Sequence, residues 1–142
     1  MSDTAKILPP ETALSKPFWD GCRAGELKLQ YCAACGRYQF YPRIVCGHCH
    51  APEPGWRRVS GRGSIASFTV VRRGLSPAYQ APYVVALVDL AEGPRMMSAI
   101  SGCEPGAVRV GAPVAVRFET WGADCAVPVF QLTEDRQREE DA

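Results

Sequence analysis

Histidine is scarce in this 142-residue sequence: there are two, His48 and His50, on either side of a single cysteine. None is left to pair with the scattered Cys22, Cys103 and Cys125 or with a serine elsewhere, so no Cys-His or Ser-His nucleophile is evident. Ser64, Ser67 and Ser98 also lack a Gly-x-Ser-x-Gly setting. Asp89 and Glu92 lie close enough to pair as carboxylates, but turn duty beside Gly93-Pro94 is the stronger expectation. No apolar run approaches the roughly 20 residues that cross a bilayer. The opening Met1-Ser2-Asp3-Thr4-Ala5-Lys6 has no leader-like apolar stretch, and the expected compartment is the cytoplasm. Internal repeats and low-complexity tracts are missing too. The formal charge is only +1, which disfavours a protein that works by covering nucleic-acid phosphate.

Glycine and proline are plentiful, at 13 and 12 residues, and they argue for short strands and many turns. With 46% hydrophobic and 22% charged residues the chain reads as a globular protein, one domain or two small units sharing their stability. Residues 1–13 form a loose lead-in containing Pro9-Pro10. Ser15 is a plausible N-cap for a short amphipathic helix with Pro17, Phe18, Trp19 and Cys22, stopped at Gly25. Glu26 to Tyr31 alternates polar with apolar, and Trp56 to Val59 is a second short strand. Gly61-Arg62-Gly63 reads as a flexible junction, which places an N-terminal unit at 14–60 and a second at 61–132. Five strand-like runs follow, at Ser64–Val71, Tyr83–Leu90, Arg95–Ser101, Pro113–Glu119 and Val127–Leu132. Taken as five antiparallel strands, they suit a small OB-type barrel, which removes the open edges of a flat sheet. Residues 133–142 form an acidic tail.

Cys32-Ala33-Ala34-Cys35 and Cys46-Gly47-His48-Cys49 are two Cys-x2-Cys pairs ten residues apart, the most specific signal in the chain. In a reducing compartment such pairs hold metal rather than form disulfides. A two-residue gap lets both sulfurs of a knuckle reach one ion, and Gly36 and Gly47 are expected to relieve the tight backbone. Between the knuckles, Arg37 to Tyr41 alternates like a strand of a rubredoxin-like ribbon. Zinc is favoured over iron because a structural ribbon needs no redox chemistry. His48 or His50 in place of Cys49 is the alternative ligand set. A closed four-thiolate site has no open position for water, so the metal staples, contributing on the order of 10 kcal/mol of folding free energy in comparable small sites. The isolated Cys22, Cys103 and Cys125 read as small apolar residues.

Charge is unevenly placed. The tail from Glu134 to Asp141 holds five acids and two arginines, so the remainder is more basic than the total. Between Pro54 and Val88 lie Arg57, Arg58, Arg62, Arg72 and Arg73 with no acid, a stretch suited to an anion, against the simpler expectation of solvated strand faces. OB barrels and zinc ribbons also bind single-stranded nucleic acid, the alternative function. The expected barrel carries few aromatics for stacking, mainly Phe68, Tyr83, Phe118 and Phe130, and with four thiolates and one zinc ion the formal charge falls from +1 to −1.

The order of these features resembles the DUF35 family of zinc-ribbon OB-fold proteins. Over roughly residues 14–132 the landmarks are Pro17-Phe18-Trp19-Asp20-Gly21, Gly25-Glu26-Leu27, the two knuckles, Tyr41-Pro42-Arg43, the run from Ser60 to Thr69, the run from Ala81 to Val88, and Gly111-Ala112-Pro113-Val114. The resemblance implies a short helix, a rubredoxin-like zinc ribbon and a five-stranded OB barrel. It further implies a non-catalytic partner of a thiolase-like enzyme, or of a hydratase or aldolase, acting on acyl-CoA thioesters in lipid, sterol, aromatic or polyketide metabolism. Zinc would be held by Cys32, Cys35, Cys46 and Cys49, and the CoA thioester would be a ligand of the complex, expected as a heterotetramer. Phe18 and Trp19 are then interface candidates. The Arg72-Arg73 loop, with Pro77 to Pro82, is the candidate wall of the CoA passage, where arginine can grip phosphate in bidentate fashion.

Overall fold

A computed structural model describes residues 5–133. The acidic tail beyond Thr133 and the first four residues of the lead-in lie outside the described residues. Helix α1 (Lys16–Arg23) starts where Ser15 placed it, with Pro17 in its first turn. The Ser15 hydroxyl does not cap it. Instead the amide of Thr12 donates to Ser15 Oγ at 3.0 Å and the amide of Ser15 to Thr12 Oγ1 at 3.1 Å, a reciprocal box ahead of the helix. At the other end Gly25 takes a positive φ of 76° and the amide of Glu26 returns to the Gly21 carbonyl at 2.8 Å, which closes the last turn. Phe18, Gly21 and Cys22 form the buried face.

Strands β1 (Lys28–Tyr31), β2 (Tyr38–Gln39) and β3 (Gly55–Arg58) form a three-stranded antiparallel sheet in the order β2-β1-β3. The expected ribbon strand over 37–41 is only two residues long, because Arg43 onward is drawn into the second knuckle. Leu27 and Leu29 point into one continuous core with Phe18, Cys22 and the barrel residues Ile65, Val88, Met96 and Phe130. Helix, ribbon and barrel therefore bury their apolar surface against each other.

The barrel consists of β4 (Arg62–Val71), β5 (Tyr83–Leu90), β6 (Arg95–Ile100), β7 (Pro113–Trp121) and β8 (Cys125–Leu132), closed in the order β4-β5-β6-β8-β7 and back to β4. β5 alternates strictly: Val84, Ala86, Val88 and Leu90 face inward. β4 pairs with β5 from Gly63 to Val71, with a register shift between Ile65 and Ser67 that bends it, and its first residues, Arg62 to Ser64, also pair with β7 on their other edge. One seam differs from the antiparallel expectation: β6 meets β8 in parallel through Ile100 and Phe130. The chain between β6 and β7 crosses the barrel end through a 3-10 turn (Pro105–Ala107) with Val108 buried beneath it, and that crossover makes the seam parallel.

The glycine junction is ordered, not flexible. The carbonyls of Gly61 and Arg62 accept from the amides of Val116 at 2.8 Å and Ala91 at 2.9 Å. A Cβ on Gly63 would stand 2.5 Å from the Asp89 carbonyl oxygen, so this glycine lets β4 and β5 approach. Asp89 and Glu92 do not pair with each other. Asp89 binds Arg95 across the β5–β6 turn, which holds its carboxyl below the ordinary carboxylate range, and Glu92 accepts the Ser60 amide at 3.0 Å.

Candidate metal centre and apolar cleft

The two knuckles are copies of one loop. In the first, the amide of Gly36 returns to the Cys32 carbonyl at 2.7 Å and the amide of Cys32 donates to the Arg37 carbonyl at 2.9 Å. In the second, the amide of His50 returns to Cys46 at 3.0 Å and that of Cys46 donates to Ala51 at 2.8 Å. The pairing of Gly36 and Gly47 is thereby corrected. Gly36 has a positive φ of 73°, but its counterpart is His50, at 65°, while Gly47 instead offers its amide to Gln39 Oε1 at 2.8 Å.

The loops bring the sulfurs of Cys32, Cys35, Cys46 and Cys49 within 4.8 Å of one another. Cys32 and Cys49 are 3.5 Å apart and Cys35 and Cys46 3.7 Å. Four Zn–S bonds of about 2.3 Å arranged tetrahedrally set sulfurs about 3.8 Å apart, so the cluster fits a four-thiolate zinc ion. The amides of Cys49 and His48 point at Cys46 Sγ and pull its thiol down to about 6. The His48 ring turns instead to the Tyr38 carbonyl, 3.4 Å away. Beneath the second knuckle lies Gln30, 1% exposed: its Nε2 donates to the Arg43 carbonyl at 2.9 Å, and its Oε1 accepts from the Arg43 amide at 2.8 Å and from Gln39 Nε2 at 2.6 Å. Sequence reading missed this hub, since a glutamine in an alternating strand looks like its solvent-facing position.

The second feature is a cleft of about 770 Å³ where α1, the 72–82 loop and strands β5 to β8 meet. Trp19, Tyr79, Tyr83, Met97, Trp121 and Val127 line it. Its lining includes two charged residues among those described, Lys6 and Glu119. Leu75 at the rim is 81% exposed and Met97 60%. Phe18 is 7% exposed and belongs to the shared core, with Trp19 edge-on to it at 4.9 Å, so of the two helix aromatics Trp19 presents more surface.

The arginines of the acid-free stretch do not pool. Arg57 lies over the Tyr31 ring at 3.7 Å and Arg58 reaches Glu26 at 3.5 Å, both on the ribbon, while Arg72 and Arg73 are exposed on the loop after β4 and outside the cleft lining. Cys22 is buried, and burial pushes its thiol up to about 12, which keeps it an inert core residue.

Two family profiles match consecutive parts of the chain: the rubredoxin-like zinc ribbon domain of ChsH2 over residues 19–55, and the C-terminal OB-fold domain of ChsH2 over residues 56–119. A DUF35 domain-containing scaffold protein of Methanothermobacter thermautotrophicus is 36% identical over 89 residues, covering 61% of this chain and 67% of that protein. The chain belongs to the DUF35 family. Another relative of this DUF35 chain, a probable enoyl-CoA hydratase alpha subunit of Thermomonospora curvata, is 32% identical over 129 residues, covering 89% of this chain. The DUF35 chain spans only 40% of that subunit's length. Among solved structures, one described as an Ltp2-ChsH2(DUF35) aldolase superposes with a TM-score of 0.81 at 29% identity, covering 87% of this chain and 98% of the other.

Proposed function

We propose that this DUF35 chain is a non-catalytic subunit that docks on an acyl-CoA-transforming enzyme, thiolase-like or of the hydratase or aldolase kind, and completes its thioester site. The observation that carries this reading is the cleft. An apolar cavity of about 770 Å³ that opens through exposed Leu75 and Met97 is only partly walled, and a second surface over that rim would enclose it. Such a volume lies within the roughly 300–1,000 Å³ of small-molecule sites. The names of the relatives support the same reading, one as a scaffold, one as a hydratase subunit, one as part of an aldolase.

Zinc at Cys32, Cys35, Cys46 and Cys49 is structural: with four thiolates it has no position free for substrate, and it holds the two knuckles of the ribbon together. Trp19, with Phe18 behind it, meets the partner. Arg72 and Arg73, free of the cleft itself, take the phosphates of CoA at its outer end. Catalytic groups belong to the partner, the assembly is a heterotetramer, and its place is the cytoplasm. Among the described residues no helix is long and apolar enough to cross a membrane.

The test is co-expression with a candidate acyl-CoA enzyme, thiolase-like or of the hydratase or aldolase kind, sought among the reading frames that neighbour this one. Co-purification of the two chains, with acyl-CoA bound and turned over only by the assembly, is the expected result. Turnover by the isolated chain, or two chains that elute separately with full activity in the larger one, would overturn the proposal.

A further inference from the structure

The lead-in is part of the cleft. Its residues 6–8 cross the mouth and touch both lips: the amide of Ile7 donates to the Tyr79 hydroxyl at 2.8 Å on the 72–82 loop, and the Lys6 ammonium sits 4.8 Å from the centre of the Trp121 ring on β7. Leu8 lies over Gly122, its methyls 3.6 and 4.0 Å from where a Cβ there would stand. Tyr79 and Trp121 meet edge to face at 6.5 Å, so the segment ties down the aromatic pair that frames the opening. Farther along, Glu11 anchors the segment to α1 through Arg23 at 2.7 Å.

The hold on residues 5–10 is slight. Among the described residues that stretch makes one hydrogen bond, and Pro9 and Pro10 have no amide to add another. Ile7 is 75% exposed and Leu8 49%, an unusual outlay of apolar surface for a segment folded back on its own chain. A lone cation over a half-buried ring and one hydrogen bond open to water are both easily exchanged for solvent.

We propose that residues 5–10 are a displaceable strap: in the isolated chain they cover the Tyr79–Trp121 side of the cleft mouth and narrow it, and they leave when an apolar ligand enters or a partner covers the rim, with Glu11–Arg23 as the fixed end. The inference rests on the cleft being a ligand site, as proposed above, and it concerns what governs access to it. A strap that must open before binding lowers the apparent affinity by the fraction of time it is open.

The experiment compares three forms of the metal-loaded full chain: the native sequence, deletion of residues 1–10, and Tyr79→Phe. The probe is N-phenyl-1-naphthylamine, a neutral apolar fluorophore, which avoids any attraction to Lys6. Both variants should bind it about threefold or more tightly than the native chain, because the closed state no longer competes. Amide exchange at Ile7 should be slower in the native chain than in Tyr79→Phe. Equal affinity in all three forms, absence of binding in all three, or an Ile7 amide that exchanges equally fast with and without the Tyr79 hydroxyl would overturn the strap. None of these outcomes bears on whether a partner enzyme co-purifies, so the two proposals fail separately.

Discussion

Gly36 and His50 stand at the same point of two equivalent loops, each one residue past the second cysteine of its knuckle, each with a positive φ and each returning its amide to the carbonyl of the first cysteine. The left-handed backbone costs glycine nothing and an L side chain about 1 kcal/mol. The second knuckle thus carries a strain that the first avoids, held in place by three hydrogen bonds that its amides donate: Gly47 to Gln39 Oε1, Cys46 to the Ala51 carbonyl and His50 to the Cys46 carbonyl.

His50→Gly should therefore stabilise the ribbon by about 0.5–1 kcal/mol and slow the loss of metal to a chelator. Thermal denaturation and the rate of zinc capture by a colorimetric chelator measure the two effects. A variant less stable than the native chain would show that the imidazole makes a contact worth more than the strain.

Cys46→Ser removes the most deeply placed sulfur of the cluster, the one whose thiolate is favoured by two amides. Metal content should fall from one zinc per chain to none. The ribbon should then unfold, since site binding supplies on the order of 10 kcal/mol in comparable units. Elemental analysis with far-ultraviolet circular dichroism reads both. A chain that folds as before without metal would remove the staple from the account.

Gln30→Leu keeps the volume but leaves the amide and carbonyl of Arg43 and the side chain of Gln39 without their partner. Destabilisation of about 1–3 kcal/mol is expected in urea unfolding. Adding Gln39→Leu to it should cost less than the two single changes together, because both side chains belong to one network.

Gly63→Ala drives a methyl into the Asp89 carbonyl oxygen and Val88 and should cost about 2 kcal/mol or more through separation of β4 from β5. Gly106→Ala is the control. A Cβ there meets nothing within 4 Å, so its effect should stay within about 0.5 kcal/mol.

Arg72→Glu with Arg73→Glu should weaken CoA thioester binding by the assembled complex at least tenfold, about 1.4 kcal/mol, while the melting temperature of the exposed loop's parent fold stays put. Trp19→Ala should instead weaken assembly. Titration calorimetry on the complex separates the two, and unchanged CoA affinity after double charge reversal would remove the arginines from the passage.

Much of this was legible in the residues for local reasons. The alternation of Val84, Ala86, Val88 and Leu90 marks β5 from end to end, and the glycines and prolines between runs set its neighbours within a few residues. What local pattern misread has a common cause. Gly61 and Gly63 look like a loose joint until the neighbouring strands are seen to need their missing side chains. The arginines of 54–88 look like one patch until the ribbon and the barrel carry them to different faces. Gln30 looks solvent-facing until Arg43 and Gln39 fold over it.

The sequence by itself determined that four sulfurs would converge and that five strands would follow, because a two-residue cysteine gap and a period of two act over distances the backbone spans in one turn or one strand. Only the tertiary structure decided that Lys6, Trp19, Tyr79 and Trp121 would surround one cleft. These residues come from the lead-in, the helix, a loop and a distant strand, and no spacing along the chain encodes their meeting. It follows from the way the barrel closes, with β6 against β8, and from the core that α1 shares with it.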